Sequence, residues 1–192
     1  DSAVEAILLD VDSPGGYQAM VPEAAAAVRA ARAIKPVVAI ARTLAASAAY
    51  YIASQADELV MTPSGVVGSI GVYSTHEDIS ALEARIGIKT TLVSAGPYKV
   101  EGNMFEALGD EARAAMQAEV DALYEEFLAD VAEGRGTTVA DVREHYGQGR
   151  CMRATQALAA GAVDRVETLE AVLERMFAGD VTRRDAAPAA SA

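Results

Sequence analysis

The chain has 192 residues, a formal net charge of −12 at pH 7, two histidines and one cysteine. This acidic balance excludes a nucleic-acid-binding protein, because no basic face is available for phosphates. One cysteine excludes an intramolecular disulfide, and so few His and Cys residues exclude the usual metal centres, so we expect no metal and no cofactor. No charge-free stretch reaches the ~20 apolar residues of a spanning helix, so we expect no membrane segment in this chain.

The predicted elements alternate between strands and helices. The first half is predicted to hold a strand at 4–11, a helix at 22–34, a strand at 37–41, a link at 42–46, a helix at 47–54, a strand at 57–62 and two short strand pieces within 63–73. The second half is predicted to hold a helix at 76–86, a strand at 89–93, a long helix at 110–133, a helix at 138–146, a strand at 150–153 and helices at 155–160 and 167–177.

This alternation predicts an α/β fold with a mostly parallel sheet, flanking helices and right-handed crossovers. We expect one folded domain at residues 1–178 and a disordered tail at 179–192. The chain enters an apolar run almost directly after Asp1. We therefore expect that an N-terminal segment, including a preceding strand, is missing.

Ser47 is the first candidate for chemistry. It follows a strand and a small-residue turn and opens a predicted helix. Free N–H groups and the helix dipole favour developing negative charge at that position, so the hydroxyl could act as a nucleophile. The alternative is that Ser47 only caps the helix, and its position alone favours the cap.

Two loops supply further candidates. Gly15 and Gly16 lie just past a strand end, where their backbone N–H groups could bind an oxyanion; the alternative is an ordinary tight turn. Lys99 lies in a Gly- and Pro-containing loop. As a general base it would need a dry apolar pocket, and composition alone favours a solvated loop lysine.

Several sequence blocks occur together in a fixed order. They are Asp12-Ser13-Pro14-Gly15-Gly16, Ala45-Ala46-Ser47-Ala48-Ala49-Tyr50-Tyr51-Ile52-Ala53, Val67-Gly68-Ser69-Ile70-Gly71-Val72, Tyr98-Lys99, Gly149-Arg150 and Gly161-Ala162-Val163-Asp164. In this order they resemble the signal peptide peptidase A family of serine proteases, peptidase family S49, a branch of the ClpP/crotonase-like superfamily. The resemblance covers about residues 4–170 and implies that residues 1–178 form a ClpP/crotonase-like protease domain.

A narrower resemblance rests on three segments around the middle of the chain. They are His76-Glu77-Asp78-Ile79-Ser80, Tyr98-Lys99-Val100-Glu101-Gly102-Asn103 and Phe105-Glu106. They are similar to the phage-type capsid (prohead) maturation proteases.

The family resemblance implies a Ser-Lys dyad that catalyses acyl transfer. Ser47 matches the nucleophile, Lys99 the general base, and Ser69 the serine that orients the lysine. The oxyanion hole would be formed by Gly15 or Gly16 with the backbone N–H of Ala48. The apolar residues expected to line the lysine pocket are Tyr50, Val67, Ile70 and Val72.

The resemblance also implies partners and a location. Expected substrates are proteins or peptides cleaved in extended segments, and the expected assembly is a homo-oligomeric ring. The expected location is the cytoplasm, meaning the host cytoplasm or the prohead for a phage protein.

Four alternatives remain at this stage. One is a membrane-associated signal peptide peptidase-type protease whose anchor has been removed, and another is a catalytically inactive capsid scaffold component. A third is a crotonase-like acyl-CoA enzyme, and the fourth replaces Lys99 with His76 and Asp78 in a Ser-His-Asp triad. Otherwise we expect His76 to cap or position its helix, Cys151 to be a buried apolar residue, and His145 to lie in a surface helix.

Overall fold

The computed structural model describes residues 1–181, 183 and 184. Its elements are β1 (Ile7–Ser13), α1 (Val21–Arg32), β2 (Val37–Ala46), α2 (Ala48–Ala53), β3 (Glu58–Met61), β4 (Val66–Gly68), α3 (Ser80–Ile86), α4 (Asp110–Arg135), α5 (Val139–His145), β5 (Cys151–Arg153), α6 (Ala154–Ala160), β6 (Arg165–Val166) and α7 (Leu169–Phe177).

The chain divides into two compact units. The sheet unit comprises Asp1–Gly71 and Glu126–Ala192, and the insert unit comprises Val72–Glu125. The six strands formed by the described residues all belong to the sheet unit.

Strand β2 organises the sheet. It pairs in parallel with β1 over most of its length, with β3 through its first half and with β4 through Leu44, Ala45 and Ala46. Strand β6 pairs in parallel with β3, and among the strand pairs of the described residues the β4–β5 pair alone is antiparallel. The predicted α/β fold with a mostly parallel sheet is therefore confirmed. The register opposes Ser13 of β1 to Ala45 and Gly68 of β4 to Ala46, so three strands end together.

The core follows from the composition of the central strands. Residues 37–41 of β2 are fully buried, as expected for a parallel strand covered on both faces. One core cluster joins β2, β3 and α7 through Val38, Ile40, Val60 and Val172. Full burial of such side chains contributes about 1.5–3 kcal/mol each.

A buried ion-pair network ties the end of α4 to the turn before β6. Arg135 donates two 2.8 Å hydrogen bonds to the carboxylate of Asp164, which also accepts from the backbone N–H of Leu59 at 2.7 Å. The Arg184 guanidinium binds the same carboxylate at 2.7 Å. Asp164 thereby links three segments of the sheet unit.

Several predicted boundaries are wrong for a common reason, which is strand pairing. Residues 42–46 are not a link but the end of β2, because they pair with β1 and β4. Residues 89–93 form no strand; most of them are exposed, and β propensity needs a partner strand to take effect. Residues 63–73 hold the single strand β4, and β6 was not predicted.

The predicted tail falls mostly on residues outside the description, namely Thr182 and 185–192. Described residues of this segment contact other parts of the sheet unit: Val181 packs against the core cluster, Arg183 donates to the Arg32 carbonyl, and Arg184 binds Asp164. Among the described residues, no helix combines the length and apolarity needed to cross a membrane.

Candidate active site

Ser47 occupies the junction between β2 and α2 in an unusual backbone conformation. Its φ is 53° and its ψ is −125°. Its backbone N–H donates to the Gly68 carbonyl at 2.8 Å, and its carbonyl accepts from the Tyr51 N–H at 2.9 Å. A positive φ costs a non-glycine residue roughly 1–2 kcal/mol, so neighbouring structure must hold it. The half-buried side chain makes no capping hydrogen bond, so the interpretation of Ser47 as a helix cap is wrong.

Two consecutive tyrosines fix helix α2 behind Ser47. The Tyr50 hydroxyl donates to the Ala162 carbonyl at 2.8 Å, and the Tyr51 hydroxyl donates to Asp130 at 2.5 Å. The Tyr51 ring also stacks on Phe127 with ring centroids 4.6 Å apart. Burial raises the pKa of Tyr50 and of Tyr51 above the ordinary tyrosine value, and both hydroxyls therefore stay protonated donors.

The backbone of the turn after β1 packs directly against the backbone around Ser47. Gly15 has φ 90°, and a Cβ there would lie 2.7 Å from the Ala46 carbonyl oxygen, 2.7 Å from Ser47 Cβ and 2.8 Å from Ala48 N. Only glycine fits this close approach. The Gly15 N–H donates to Ser13 Oγ at 3.2 Å, whereas Gly16 is exposed and a Cβ there would meet nothing within 4 Å.

Ser69 directly follows β4 and also has a positive φ, 54°. Its side chain is half-buried, and its N–H donates to the Arg150 carbonyl at 3.0 Å. Because Gly68 accepts from Ser47 and Ser69 donates to Arg150, the Gly68–Ser69 dipeptide connects the nucleophile candidate to the turn before β5. Sequence reasoning missed this role of Arg150, and the Gly-Gln-Gly that precedes it was the available signal.

Lys99 belongs to the insert unit, whereas the other predicted site residues belong to the sheet unit. Its side chain is exposed in the single chain, and its N–H donates to the Gly96 carbonyl at 3.3 Å. The pairing of Lys99 with Ser47 stays a prediction. Of the expected pocket lining, Tyr50, Val67 and Ile70 are buried in the sheet unit, and Val72 is the first residue of the insert unit.

The alternative base, His76, has another partner within the insert unit. Its Nε2 lies 2.9 Å from the Asn103 carbonyl oxygen. Asp78 instead accepts from the Ser80 N–H at 2.9 Å, and hydrogen bonds from Ser80 lower the pKa of this exposed carboxyl. No hydrogen bond joins His76 to Asp78 in the described part of the chain. Helix α3 begins at Ser80, four residues later than predicted. Asp78, and not His76, therefore accepts a hydrogen bond from a backbone N–H of its first turn.

Three remaining expectations concern single residues and metals. Cys151 is exposed, contrary to the prediction, because it alternates with the inward-facing Met152 on the short strand β5. His145 is exposed at the end of α5, as predicted. Within residues 1–181, 183 and 184, no cluster of three or more His, Cys, Asp or Glu side chains could hold a metal ion.

Comparison with known proteins decides the family. Residues 29–181 match the model of peptidase family S49. The chain belongs to peptidase family S49. The predicted family is therefore confirmed, and the relatives of this S49 chain include phage proteins, as the narrower resemblance implied.

Two phage relatives and one solved structure are similar to this S49 chain. It is 40% identical over 139 residues to the head-tail preconnector protein GP5 of Enterobacteria phage P21, covering 72% of this chain and 28% of that protein. It is 30% identical over 203 residues to the capsid assembly protease C of Escherichia phage lambda, covering 100% of this chain and 46% of that protein. The chain thus spans less than half the length of either relative.

The solved structure is a lysine-to-alanine mutant of the 1510-N membrane-bound stomatin-specific protease in complex with a substrate peptide. It superposes with a TM-score of 0.56 at 18% identity, over 90% of this chain and 66% of that one. At this identity the similarity establishes the shared fold alone.

Proposed function

We propose that this S49 chain is the catalytic domain of a serine endopeptidase in which Ser47 is the nucleophile and Lys99 the general base. The observation that supports the proposal most strongly is the conformation of Ser47. Its hydroxyl is not used for capping, and its strained backbone is held by Gly15 and Gly68 at the start of a helix. Strain maintained in this way is characteristic of functional positions.

The oxyanion hole that we propose uses the N–H groups of Gly16 and Ala48. Ala48 is the first residue of α2, so its N–H has no acceptor within the helix. We favour Gly16 over Gly15 because Ser13 Oγ already accepts the Gly15 N–H. Each donor of this kind lowers the barrier by about 3 kcal/mol.

In the proposed reaction, Ser47 Oγ attacks the scissile carbonyl while Lys99 Nζ takes the hydroxyl proton. Lys99 then protonates the leaving amine as the C–N bond breaks, and water hydrolyses the acyl-enzyme to release the second product. Ser69 would hold the lysine in position. Two facts favour lysine over histidine: the family resemblance, and the placement of His76 Nε2 against the Asn103 carbonyl.

We further propose that the substrates are extended segments of capsid-associated proteins and that the enzyme assembles into a homo-oligomeric ring. The support is the similarity to the capsid assembly protease C of phage lambda, which covers the whole of this chain. The expected location is then the host cytoplasm or the prohead. The net charge of −12 disfavours nucleic acid as a further partner.

Covalent labelling with a fluorophosphonate, together with cleavage of an unfolded protein substrate, tests this function. We expect labelling and cleavage by the native chain, neither with Ser47→Ala, and loss of cleavage with Lys99→Ala. Lys89→Ala is the matched control, because Lys89 is another exposed lysine of the insert unit. Loss of activity in His76→Ala but not in Lys99→Ala would favour the triad. An inactive native chain would favour a scaffold component.

A further inference from the structure

The turn at Gly147–Arg150, which precedes β5, combines features that the proposed dyad does not explain. Gly147, Gln148 and Gly149 all have positive φ values, 89°, 50° and 86°. Glycine adopts this region freely, whereas the same conformation costs Gln148 roughly 1–2 kcal/mol. Such a segment persists only where surrounding structure holds it, and it points towards a functional role.

The geometry of this turn brings one main-chain carbonyl to Ser69. Arg150 N–H donates to the Gly147 carbonyl at 2.9 Å, which closes the turn, and the Arg150 carbonyl then accepts from Ser69 N–H at 3.0 Å. Two glycines make room for that carbonyl oxygen. A Cβ on Gly68 would lie 2.8 Å from it, and a Cβ on Gly147 would lie 2.5 Å from it.

The same contact reaches the proposed nucleophile through one further hydrogen bond. Gly68, which precedes Ser69, accepts from the Ser47 N–H at 2.8 Å. Pairing between Gly68 and Cys151 across β4 and β5 fixes the two segments side by side. The Arg150 carbonyl is therefore connected to Ser69 by one hydrogen bond and to the Ser47 backbone through Gly68.

We propose that the Gly147–Arg150 turn is a positioning element of the active site, and that its Arg150 main-chain carbonyl holds Ser69 and, through Gly68, Ser47 in their reactive conformations. This inference rests on the proposed function. The carbonyl touches neither substrate nor a reacting atom; it acts through the two serines. Displacing it should slow the chemical step and leave substrate binding unchanged.

Gly147→Ala tests the inference, because its Cβ would displace the Arg150 carbonyl. Gly179→Ala is the matched control: Gly179 also has a positive φ, 74°, but a Cβ there meets nothing within 4 Å. Both variants carry the same type of backbone strain, and only Gly147→Ala adds the collision. We expect kcat for peptide cleavage to fall at least tenfold in Gly147→Ala with KM within twofold of the native value, whereas Gly179→Ala stays within twofold in both constants.

A rise in KM with unchanged kcat in Gly147→Ala, or equal effects of both variants, would overturn the inference. Amide hydrogen exchange at Ser69, followed by NMR, provides a readout that does not depend on activity. Faster exchange in Gly147→Ala than in Gly179→Ala supports the contact, and an unchanged rate overturns the inference whatever the activity. If the native chain proves inactive while amide exchange at Ser69 is still faster in Gly147→Ala than in Gly179→Ala, the proposed function fails and the contact between Ser69 and the Arg150 carbonyl stands.

Discussion

Replacing Asp164 with asparagine should lower the free energy of unfolding of the sheet unit far more than the loss of an exposed charge does. Its carboxylate accepts both Arg135 bonds at 2.8 Å, the Leu59 N–H and the Arg184 guanidinium. The Arg135 side chain is only 2% exposed, so Asp164→Asn leaves a buried cation without its counter-charge.

Breaking one side of a buried ion pair costs about 3–5 kcal/mol, which is a large part of a typical 5–15 kcal/mol free energy of unfolding. At about 2–4 °C per kcal/mol for a chain of this size, the melting temperature should fall by roughly 6–20 °C. Asp10→Asn is the matched control, because the Asp10–Arg42 pair at 3.1 Å is 40% and 51% exposed. Such a pair contributes only about 0–1 kcal/mol.

Scanning calorimetry and urea unfolding at pH 7 on the native chain and the two variants measure both effects. The expected result is a large fall in melting temperature for Asp164→Asn and at most about 4 °C for Asp10→Asn. Equal shifts in the two variants would refute the reasoning, because burial of Arg135 would then carry no energetic consequence.

The stability of the sheet unit should also depend on pH through Asp164. Burial of Asp164 acts to raise the pKa of its carboxyl, but the bonds and charge of Arg135 outweigh it and hold the pKa below the ordinary value. The resulting stability is present above pH ~3.9 and is lost as the pH falls through the folded-state value; melting curves from pH 7 to 2 should show this loss, and Asp164→Asn should flatten it. Gly15→Ala should lower kcat at least tenfold through the contacts of 2.7–2.8 Å at the Ser47 junction. Gly16→Ala should keep kcat within threefold, because it retains the backbone N–H that we propose as an oxyanion donor and its Cβ meets nothing within 4 Å; equal rates would contradict this account. Thr168→Ala removes the side-chain cap of α7 and should cost about 1 kcal/mol in urea unfolding, with activity retained.

The strands of the core could be predicted because their sequences carry the signal themselves. Residues 37–41 are an apolar run, and such runs are typical of parallel strands buried on both faces. The extension of β2 to Ala46 could not be predicted, because it depends on hydrogen bonds to β1 and β4 that no local pattern records. The strand expected at 89–93 failed for the converse reason: its residues favour β structure, but no strand among the described residues pairs with them.

The candidate site shows the same division between local and long-range information. The order of the motifs indicated Ser47 and Ser69 as candidates, and the Gly-Gly pair after β1 marked the turn that contacts the Ser47 backbone. The positive φ of both serines could not be read from their residue types, because serine usually avoids that region. The Gly-Gln-Gly before Arg150 indicates a turn, but the hydrogen bond from Ser69 N–H to the Arg150 carbonyl could not be predicted, since a main-chain carbonyl has no side-chain signature.

Gly15, Gly68 and Gly147 each lie so close to neighbouring main-chain atoms that an added Cβ would collide with them. Gly68 and Gly147 make room for the Arg150 carbonyl oxygen, and Gly15 makes room for the backbone on either side of Ser47. The backbone of the candidate site is therefore held largely by contacts between main-chain atoms, which every amino acid shares. A saturation mutagenesis screen for proteolysis should reveal it as intolerant glycines at 15, 68 and 147, widely separated in sequence, with neighbouring exposed positions tolerating many side chains.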